Sequence, residues 1–167
     1  MTTRDIDLAC FGEPLMELTR VTRDGEPPSY RPGYGGDTSN CAIAAARQGA
    51  RTAYVSAVGD DSFGRELREL WEREGVDHAA VRTDPVAPTG LYIITPSPAG
   101  RDFAYYRAGS AASRYRPDDL PLDLLPRVRV VQLSGISQAV GEGPCDAGFR
   151  LIEAARDAGC DVAYDTN

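Results

Sequence analysis

The sequence of 167 residues contains no lysine, so arginine supplies all 18 of its basic side chains. The absence of lysine excludes Schiff-base catalysis and the phosphate-binding loop that depends on a lysine. Histidine is also scarce, and the single His78 argues against histidine-rich metal sites and most catalytic triads. We therefore expect no metal site within this chain.

Long apolar runs are missing as well. No segment approaches the roughly 20 consecutive apolar residues that span a bilayer, and the first residues lack the apolar stretch of a signal peptide. A formal net charge of −7 disfavours a broad nucleic-acid surface. These features predict a cytoplasmic protein that binds neither membranes nor nucleic acids.

The four cysteines, Cys10, Cys41, Cys145 and Cys160, are scattered and include no C-x-x-C pair. Such spacing indicates free thiols in a reducing compartment rather than a disulfide framework. A composition of 42% hydrophobic and 26% charged residues is typical of globular proteins. The length is in the range of one domain.

Apolar and amphipathic segments alternate along most of the chain. Strands are predicted over 5–11, 51–58, 76–82, 128–133 and 161–164, and helices over 37–48, 63–74, 117–125 and 144–158. This alternation indicates an α/β fold, with an open, mainly parallel sheet and helices on both faces. Strands predicted over 15–21, 90–95 and 101–107 do not fit the alternation, and we expect a smaller projecting sheet from them. Ser62 is the expected N-cap of the second helix.

Two glycines precede the first predicted helix, in the segment Gly33-Tyr34-Gly35-Gly36-Asp37-Thr38-Ser39-Asn40. Paired glycines let the backbone approach a ligand closely, and the amides at a helix N-terminus attract hydroxyls or anions. Asp37 and Asn40 lie about one turn apart and offer hydrogen-bonding groups to a polyol. The same pattern also fits a tight turn and a helix capped by Asp37 or Thr38, with no ligand.

The segment that ends the predicted hairpin is Tyr105-Tyr106-Arg107-Ala108-Gly109-Ser110. Alternation along a strand places Tyr105 and Arg107 on one face and Tyr106 on the other. A phenol beside a guanidinium suits a substrate with hydroxyls and a carboxylate, because arginine pairs with carboxylates in a planar fork. An exposed strand with a surface salt bridge also explains the pattern.

Two acids, Glu13 and Asp165, follow the first and the last predicted strands. Loops at the carboxyl ends of parallel strands commonly carry function, so both acids are candidates for a site. The plain alternative is that each acid caps a nearby helix.

Together these features resemble the ribokinase-like (PfkB) family of sugar kinases. The residues that match the family's N-terminal signature are Gly35 to Asn40, the alanine-rich helix after them, Gly49, Val58-Gly59-Asp60-Asp61 and Gly64. Three further segments resemble 2-keto-3-deoxygluconate kinases more than ribokinases or adenosine kinases: Gly12-Glu13-Pro14, Tyr105 to Ala111, and Leu133-Ser134-Gly135-Ile136.

The resemblance implies that residues 1–167 form the N-terminal part of a ribokinase-like domain, with a β-sheet lid built from about 14–34 and 88–110. It implies ATP-dependent phosphorylation of a sugar hydroxyl, assisted by Mg²⁺. The substrate-binding residues it implies are Gly35, Gly36, Asp37, Asn40, Tyr92, Tyr105, Arg107, Ile136, Asp165 and Asn167. Gly36 and Asn40 would hold hydroxyls, and Arg107 would take a sugar-acid carboxylate.

The family's catalytic base and nucleotide loops belong to a C-terminal part that is absent from these 167 residues. The resemblance therefore assigns no catalytic and no cofactor-binding residue here, and we expect the chain alone to be inactive. The expected substrate is 2-keto-3-deoxygluconate, converted to its 6-phosphate; a fructokinase or another sugar kinase of the family is the alternative. A non-catalytic sugar-binding or regulatory module is the alternative of a different class. We also expect a homo-oligomer that assembles through the lid.

Overall fold

The computed structural model describes residues 4–167, in which the chain forms ten strands and four α-helices. The strands are β1 (Ile6–Phe11), β2 (Leu15–Val21), β3 (Ser29–Gly35), β4 (Thr52–Gly59), β5 (Val76–Asp77), β6 (Val81–Asp84), β7 (Leu91–Ser97), β8 (Gly100–Tyr106), β9 (Val128–Ser134) and β10 (Asp161–Asp165). The helices are α1 (Asp37–Arg47), α2 (Ser62–Glu74), α3 (Gly135–Ala139) and α4 (Glu142–Asp157). The strands build one larger and one smaller sheet.

The larger sheet has six strands, in the order β10-β9-β1-β4-β5, with β6 also paired to β4. All of these pairings are parallel. The central strand β4 is buried at every position, as expected for a strand that helices cover on both faces. The predicted open, mainly parallel α/β sheet is confirmed.

Two hydrophobic clusters cover the two faces of this sheet. Phe11 of β1 packs in one cluster with Leu151 of α4, whereas Cys10 packs in the other with Ile43 of α1 and Trp71 of α2. Successive side chains of a strand point to opposite faces, so α4 covers one face and α1 and α2 cover the other. Because β1, β9 and β10 pair in parallel, their carboxyl ends lie together at one edge of the sheet.

The start of α1 differs from the predicted cap. The N-cap residue is Gly36, which has no side chain to cap the helix, and both candidate capping residues lie within the helix and are bound elsewhere. The Thr38 hydroxyl lies 3.0 Å from the hydroxyl of Tyr54, and the Asp37 carboxylate accepts a hydrogen bond from Ser134. The N-terminal amides of α1 therefore receive no hydrogen bond from a capping side chain.

The start of α2 also corrects a prediction. Asp61, and not Ser62, is the N-cap: its carboxylate accepts a hydrogen bond from the Gly64 amide at 2.7 Å. The same carboxylate accepts bonds from the amide and the hydroxyl of Thr89, both at 2.8 Å. Asp61 thus joins α2 to the segment that enters β7.

The smaller sheet has the order β3-β2-β7-β8, with an inner parallel pair and an antiparallel pair on each side. It confirms the projecting sheet and adds β3, a strand that was not predicted. The β3 segment contains Pro32 and three exposed or half-exposed glycine and tyrosine positions, a composition typical of a loop. β3 pairs with β2 over its whole length and lies at the end of the sheet order. It is therefore an edge strand, where proline is tolerated.

Two local predictions need correction, and one short helix was not predicted. The strand predicted over 76–82 is two short strands, β5 and β6, separated by a turn in which the Val81 amide donates to the His78 carbonyl. The helix predicted over 117–125 is two 3₁₀ turns, which suit its prolines better than an α-helix does. The short helix α3 was not predicted.

No helix between residues 4 and 167 combines the length and the apolar character needed to cross a bilayer.

Helix α4 offers a matched test of the core. Leu151 is 4% exposed, whereas Phe149, two residues earlier, is 57% exposed. We predict that Leu151→Ala lowers the free energy of unfolding by about 2–5 kcal/mol, because it leaves a cavity under the sheet. Phe149→Ala should change it by less than about 0.5 kcal/mol. Urea unfolding of both variants measures the difference, and equal losses would contradict the assigned packing.

Candidate functional site

A cleft of about 150 Å³ lies where the carboxyl end of β1, the start of α1 and one face of the smaller sheet meet. It is lined by Glu13, Leu15, Gly36, Asp37, Tyr92, Phe103, Tyr105, Arg107 and Ile136. The lining combines one guanidinium and two carboxylates with aromatic and aliphatic surface. Such a lining suits a small polar molecule that also presents C–H surface.

Two glycines let the chain pass closely under the smaller sheet. Gly36 has φ +101°, and a Cβ there would lie 2.5 Å from the carbonyl oxygen of Glu13. A Cβ at Gly35 would lie 2.5 Å from the hydroxyl oxygen of Tyr92. Any larger residue would therefore displace either the end of β1 or the aromatic wall of the cleft.

Asp37 connects the start of α1 to the end of β9. Its carboxylate accepts a hydrogen bond from the Ser134 hydroxyl, which also lies 3.4 Å from the Ser137 amide of α3. Asp165 of β10 pairs with Ser134 in the sheet. The ends of three elements are thus gathered on one side of the cleft.

Aromatic side chains of β7 and β8 form the opposite wall. The ring of Tyr92 lies 5.6 Å from that of Tyr105 and 6.2 Å from that of Phe103, measured between centroids. The Tyr92 hydroxyl donates to the Glu17 carboxylate at 2.5 Å, which fixes the ring. Burial, with the hydrogen bond to Glu17, raises the pKa of Tyr92 and keeps it protonated.

Arg107 does not have an unpaired guanidinium. It forms an ion pair with Glu13, whose side chain is 2% exposed while that of Arg107 is 25% exposed. Glu13 also accepts a hydrogen bond from the Ser110 hydroxyl at 2.9 Å. Burial raises the pKa of Glu13, and the Arg107 charge opposes that rise. The guanidinium carbon lies 5.6 Å from the centroid of the Tyr105 ring.

The structure brings most of the residues implied for substrate binding to this cleft. Gly36, Asp37, Tyr92, Tyr105, Arg107 and Ile136 line it, and Gly35 lies against Tyr92. The other three lie outside the lining: Asn40 is exposed on α1, and the exposed Asp165 accepts a hydrogen bond from the Asn167 amide at 2.9 Å. Their part in binding stays a prediction.

Sequence reasoning missed two contributors and undervalued a third. Phe103 and Leu15 line the cleft. Phe103 lies two residues from Tyr105 on β8, and Leu15 lies two residues from Glu17 on β2. Because every second side chain of a strand points to the same face, this spacing was the one signal for their position. Glu13 was a candidate because of its place after β1, but its pairing with Arg107 joins residues far apart in sequence. No short-range pattern predicts such a contact.

The described residues offer no ligand set for a metal ion. Between residues 4 and 167, no three His, Cys, Asp or Glu side chains converge as metal ligands would. A magnesium ion would therefore need ligands from outside the described residues.

A parallel α/β sheet with a small sheet over a polar cleft at its strand ends is the architecture of ribokinase-like proteins. The fructokinase of Xylella fastidiosa, solved with bound ATP, superimposes with a TM-score of 0.91 at 24% identity, over 98% of this chain and 52% of that one. The model of the pfkB family of carbohydrate kinases matches residues 5–167. The chain belongs to that family.

Curated relatives carry two different sugar-kinase names. The chain is 37% identical to a 2-dehydro-3-deoxygluconokinase of Thermoproteus tenax, over 97% of the chain and 50% of that protein. It is 36% identical to a probable fructokinase-3 of Arabidopsis thaliana, over 96% of the chain and 47% of that protein. The chain thus spans about half the length of the curated relatives it matches.

The thiol of Cys41 in α1 lies at the edge of the site, and the pH dependence of its reactivity can be tested. A hydrogen bond from Cys10 lowers the pKa of Cys41 to about 7, although burial and the charges of Asp37 and Asp165 oppose that shift. We predict that iodoacetamide alkylates Cys41 at a rate that rises through about pH 7. Cys10→Ala should move this midpoint up toward about 8.5, the value of an ordinary thiol.

Peptide mass spectrometry measures the rate at each cysteine separately. Cys145, half-buried on α4, serves as the reference within the same protein. A midpoint that Cys10→Ala leaves in place would show that Cys10 does not stabilise the thiolate.

Proposed function

We propose that the complete protein containing this chain is an ATP-dependent sugar kinase, and that residues 4–167 hold the acceptor sugar. The observation that carries the proposal is the cleft between the uncapped start of α1 and the aromatic face of the smaller sheet. Membership of a carbohydrate kinase family supports the same activity.

The acceptor's hydroxyls would bind at the start of α1. The helix amides there are uncapped and positive, so they favour hydroxyl or anionic oxygens. Gly35 and Gly36 allow close approach, and the Asp37 carboxylate accepts hydrogen bonds from hydroxyls. Asn40, Asp165 and Asn167 would contact the acceptor from the exposed edge of the cleft.

The aromatic wall and Arg107 would select a sugar acid. Tyr92 and Tyr105 offer hydroxyls and ring surface, Ile136 offers apolar surface, and Arg107 offers charged donors to a carboxylate. The Nε atom of Arg107 is buried and has no hydrogen-bond partner among residues 4–167. We propose 2-keto-3-deoxygluconate as the substrate and its 6-phosphate as the product, which the name of the Thermoproteus relative supports.

The phosphate donor would be ATP, with Mg²⁺ to neutralise charge on the transferred phosphoryl group. The Xylella neighbour of the same fold was solved with ATP. The residues of this chain would orient the acceptor and limit its contact with water. The base that takes the hydroxyl proton, and the nucleotide site, would come from the C-terminal part of the family's fold.

Fructose is the alternative acceptor. Glu13 already balances the charge of Arg107, so the cleft can accept a neutral sugar without leaving an unpaired guanidinium. The name of the Arabidopsis relative supports this alternative.

Steady-state ADP release by the full-length protein tests the proposal with both sugars. We predict that Arg107→Ala lowers kcat/KM for 2-keto-3-deoxygluconate. The decrease should correspond to a loss of about 1.5–3 kcal/mol of transition-state stabilisation, because the variant cannot form the charged hydrogen bond between the guanidinium and the substrate carboxylate. The loss with fructose should be much smaller, since a neutral sugar does not form that pair.

Arg101→Ala is the matched control, because Arg101 is an exposed arginine at the other end of β8. It should leave both values unchanged. Equal losses for the two sugars in Arg107→Ala would assign Arg107 a structural role, and no ADP release with either sugar would overturn the proposed function.

We further propose that the smaller sheet is a lid through which two copies associate. Tyr92 faces the cleft, so alternation turns Ile93 to the outer face, where its cross-strand neighbours include Leu18. Tyr30 and Tyr106 share that outer face by register and are 50% and 61% exposed. A small sheet with an apolar outer face and open edges is stabilised when a second copy covers it.

We predict that Ile93→Asp in the full-length protein converts a dimer to a monomer, because it buries a charge at the interface. Light scattering at micromolar concentration measures the mass. Val86→Asp introduces the same charge at an exposed position outside the sheet and should leave the dimer intact. A monomeric wild-type protein would refute this assembly.

A further inference from the structure

Glu13 is a buried carboxylate beside the cleft that no step proposed above places in contact with the substrate. It lies in the loop between β1 and β2, just after the carboxyl end of β1 in the larger sheet. Its two oxygens are engaged by residues that follow β8 of the smaller sheet. Oε1 accepts from the Ser110 hydroxyl at 2.9 Å, and Oε2 lies in the ion pair with Arg107 without a hydrogen bond from the described residues.

The carboxylate has little freedom to move away from Arg107. A Cβ at Gly90 would lie 3.0 Å from Glu13 Oε1 and 2.8 Å from Leu15 Cδ2, so the carboxylate fits against bare backbone. The Ser110 hydroxyl is itself fixed, because it accepts from the Ser113 amide at 3.2 Å. Glu13 is therefore held at a defined place beside the guanidinium.

The charge of Arg107 is thus compensated before any acceptor enters. A substrate carboxylate that approaches the exposed part of Arg107 must share the guanidinium with Glu13, whose negative charge already offsets part of its attraction. The interior screens the attraction between Glu13 and Arg107 less than water does, so this compensation is larger than it would be at an exposed site. A neutral sugar is affected only through the hydrogen bonds that Arg107 can donate.

We propose that Glu13 is a positioning residue that sets acceptor selectivity: it holds Arg107 in the cleft wall and reduces the preference for acidic over neutral sugars. The proposal rests on the proposed function in one respect, namely that the cleft holds the acceptor. It adds a residue whose effect passes through Arg107 and not through contact with substrate.

The test measures the dissociation constants of 2-keto-3-deoxygluconate and fructose by titration calorimetry with the full-length protein, without nucleotide. Glu13→Gln keeps the shape and removes the charge. We expect the ratio of the two constants to shift about tenfold in favour of the acid, because the partly exposed guanidinium loses its compensating charge. An unchanged ratio, or a shift toward fructose, overturns the proposal.

Controls separate charge from packing. Glu13→Asp keeps the charge and should hold the ratio within about threefold of wild type, a margin of well under 1 kcal/mol. Ser110→Ala removes the other contact of Glu13 without changing its charge, and it should weaken both sugars alike. If Glu13 were merely structural, Glu13→Gln would behave as Ser110→Ala does.

A double variant tests the dependence on Arg107. In an Arg107→Met background, Glu13→Gln should no longer favour the acid through a released guanidinium, so the shift should be smaller than in the wild-type background. An equal shift in both backgrounds would mean that Glu13 acts on the substrate directly. Glu13→Ser, which leaves room for water, is the second neutral variant if thermal unfolding shows that Glu13→Gln does not fold.

Failure of this inference and failure of the proposed function are distinguishable. ADP release with an unchanged binding ratio in Glu13→Gln removes only the selectivity role of Glu13. Binding with the expected shift but without ADP release removes only the kinase activity. Binding of neither sugar to the wild-type protein overturns both.

Discussion

The buried ion pair of Glu13 and Arg107 joins the loop that follows β1 of the larger sheet to the end of β8 of the smaller sheet, and both residues line the cleft. A carboxylate at 2% side-chain exposure is costly unless it is paired, so the end of β8 must stay beside the end of β1. Loss of either partner would leave a buried or half-buried charge uncompensated. The position of the smaller sheet over α1 is therefore tied to the electrostatics of the cleft, and not to apolar packing alone.

The second constraint is the close approach of the backbone at the start of α1. Gly36 lies with positive φ against the Glu13 carbonyl, while Asp37 and Thr38 bind Ser134 and Tyr54 in place of the helix end. The N-cap position itself is Gly36, which has no side chain to cap the helix. Asp37 and Thr38 fix the helix to the sheet, and the N-terminal amides receive no hydrogen bond from a side chain. The same sequence segment thus serves both the fold and the site.

Much of the fold could be predicted because its signals are local. Alternating strands and amphipathic helices indicated the parallel sheet, and the segments that broke the alternation indicated the smaller one. The strand β3 could not be predicted, because its exposed and proline-containing sequence becomes a strand only through pairing with β2. The cap of α2 was misplaced by one residue, since Asp61 and Ser62 are both good capping types and only the contact with Thr89 decides between them. In the site, glycines and aromatic residues were visible as motifs, whereas Glu17 behind Tyr92 and Glu13 behind Arg107 depend on contacts across 75 and 94 positions, respectively.

The charges in the cleft limit what the sequence motif can imply about substrate. Arginine beside tyrosine favours a carboxylate when the arginine is considered alone, but the described lining holds Glu13 and Asp37 against the single Arg107. Under the proposed function, an acidic acceptor must gain more from the donors of Arg107 and the uncapped amides of α1 than it loses to the two carboxylates. A neutral sugar has no net charge, so neither the attraction nor the repulsion acts on it in full. We therefore expect small changes in this balance, and not the presence of Arg107 alone, to decide between a sugar acid and a ketose as acceptor, which agrees with the similarity of the chain to relatives bearing both names.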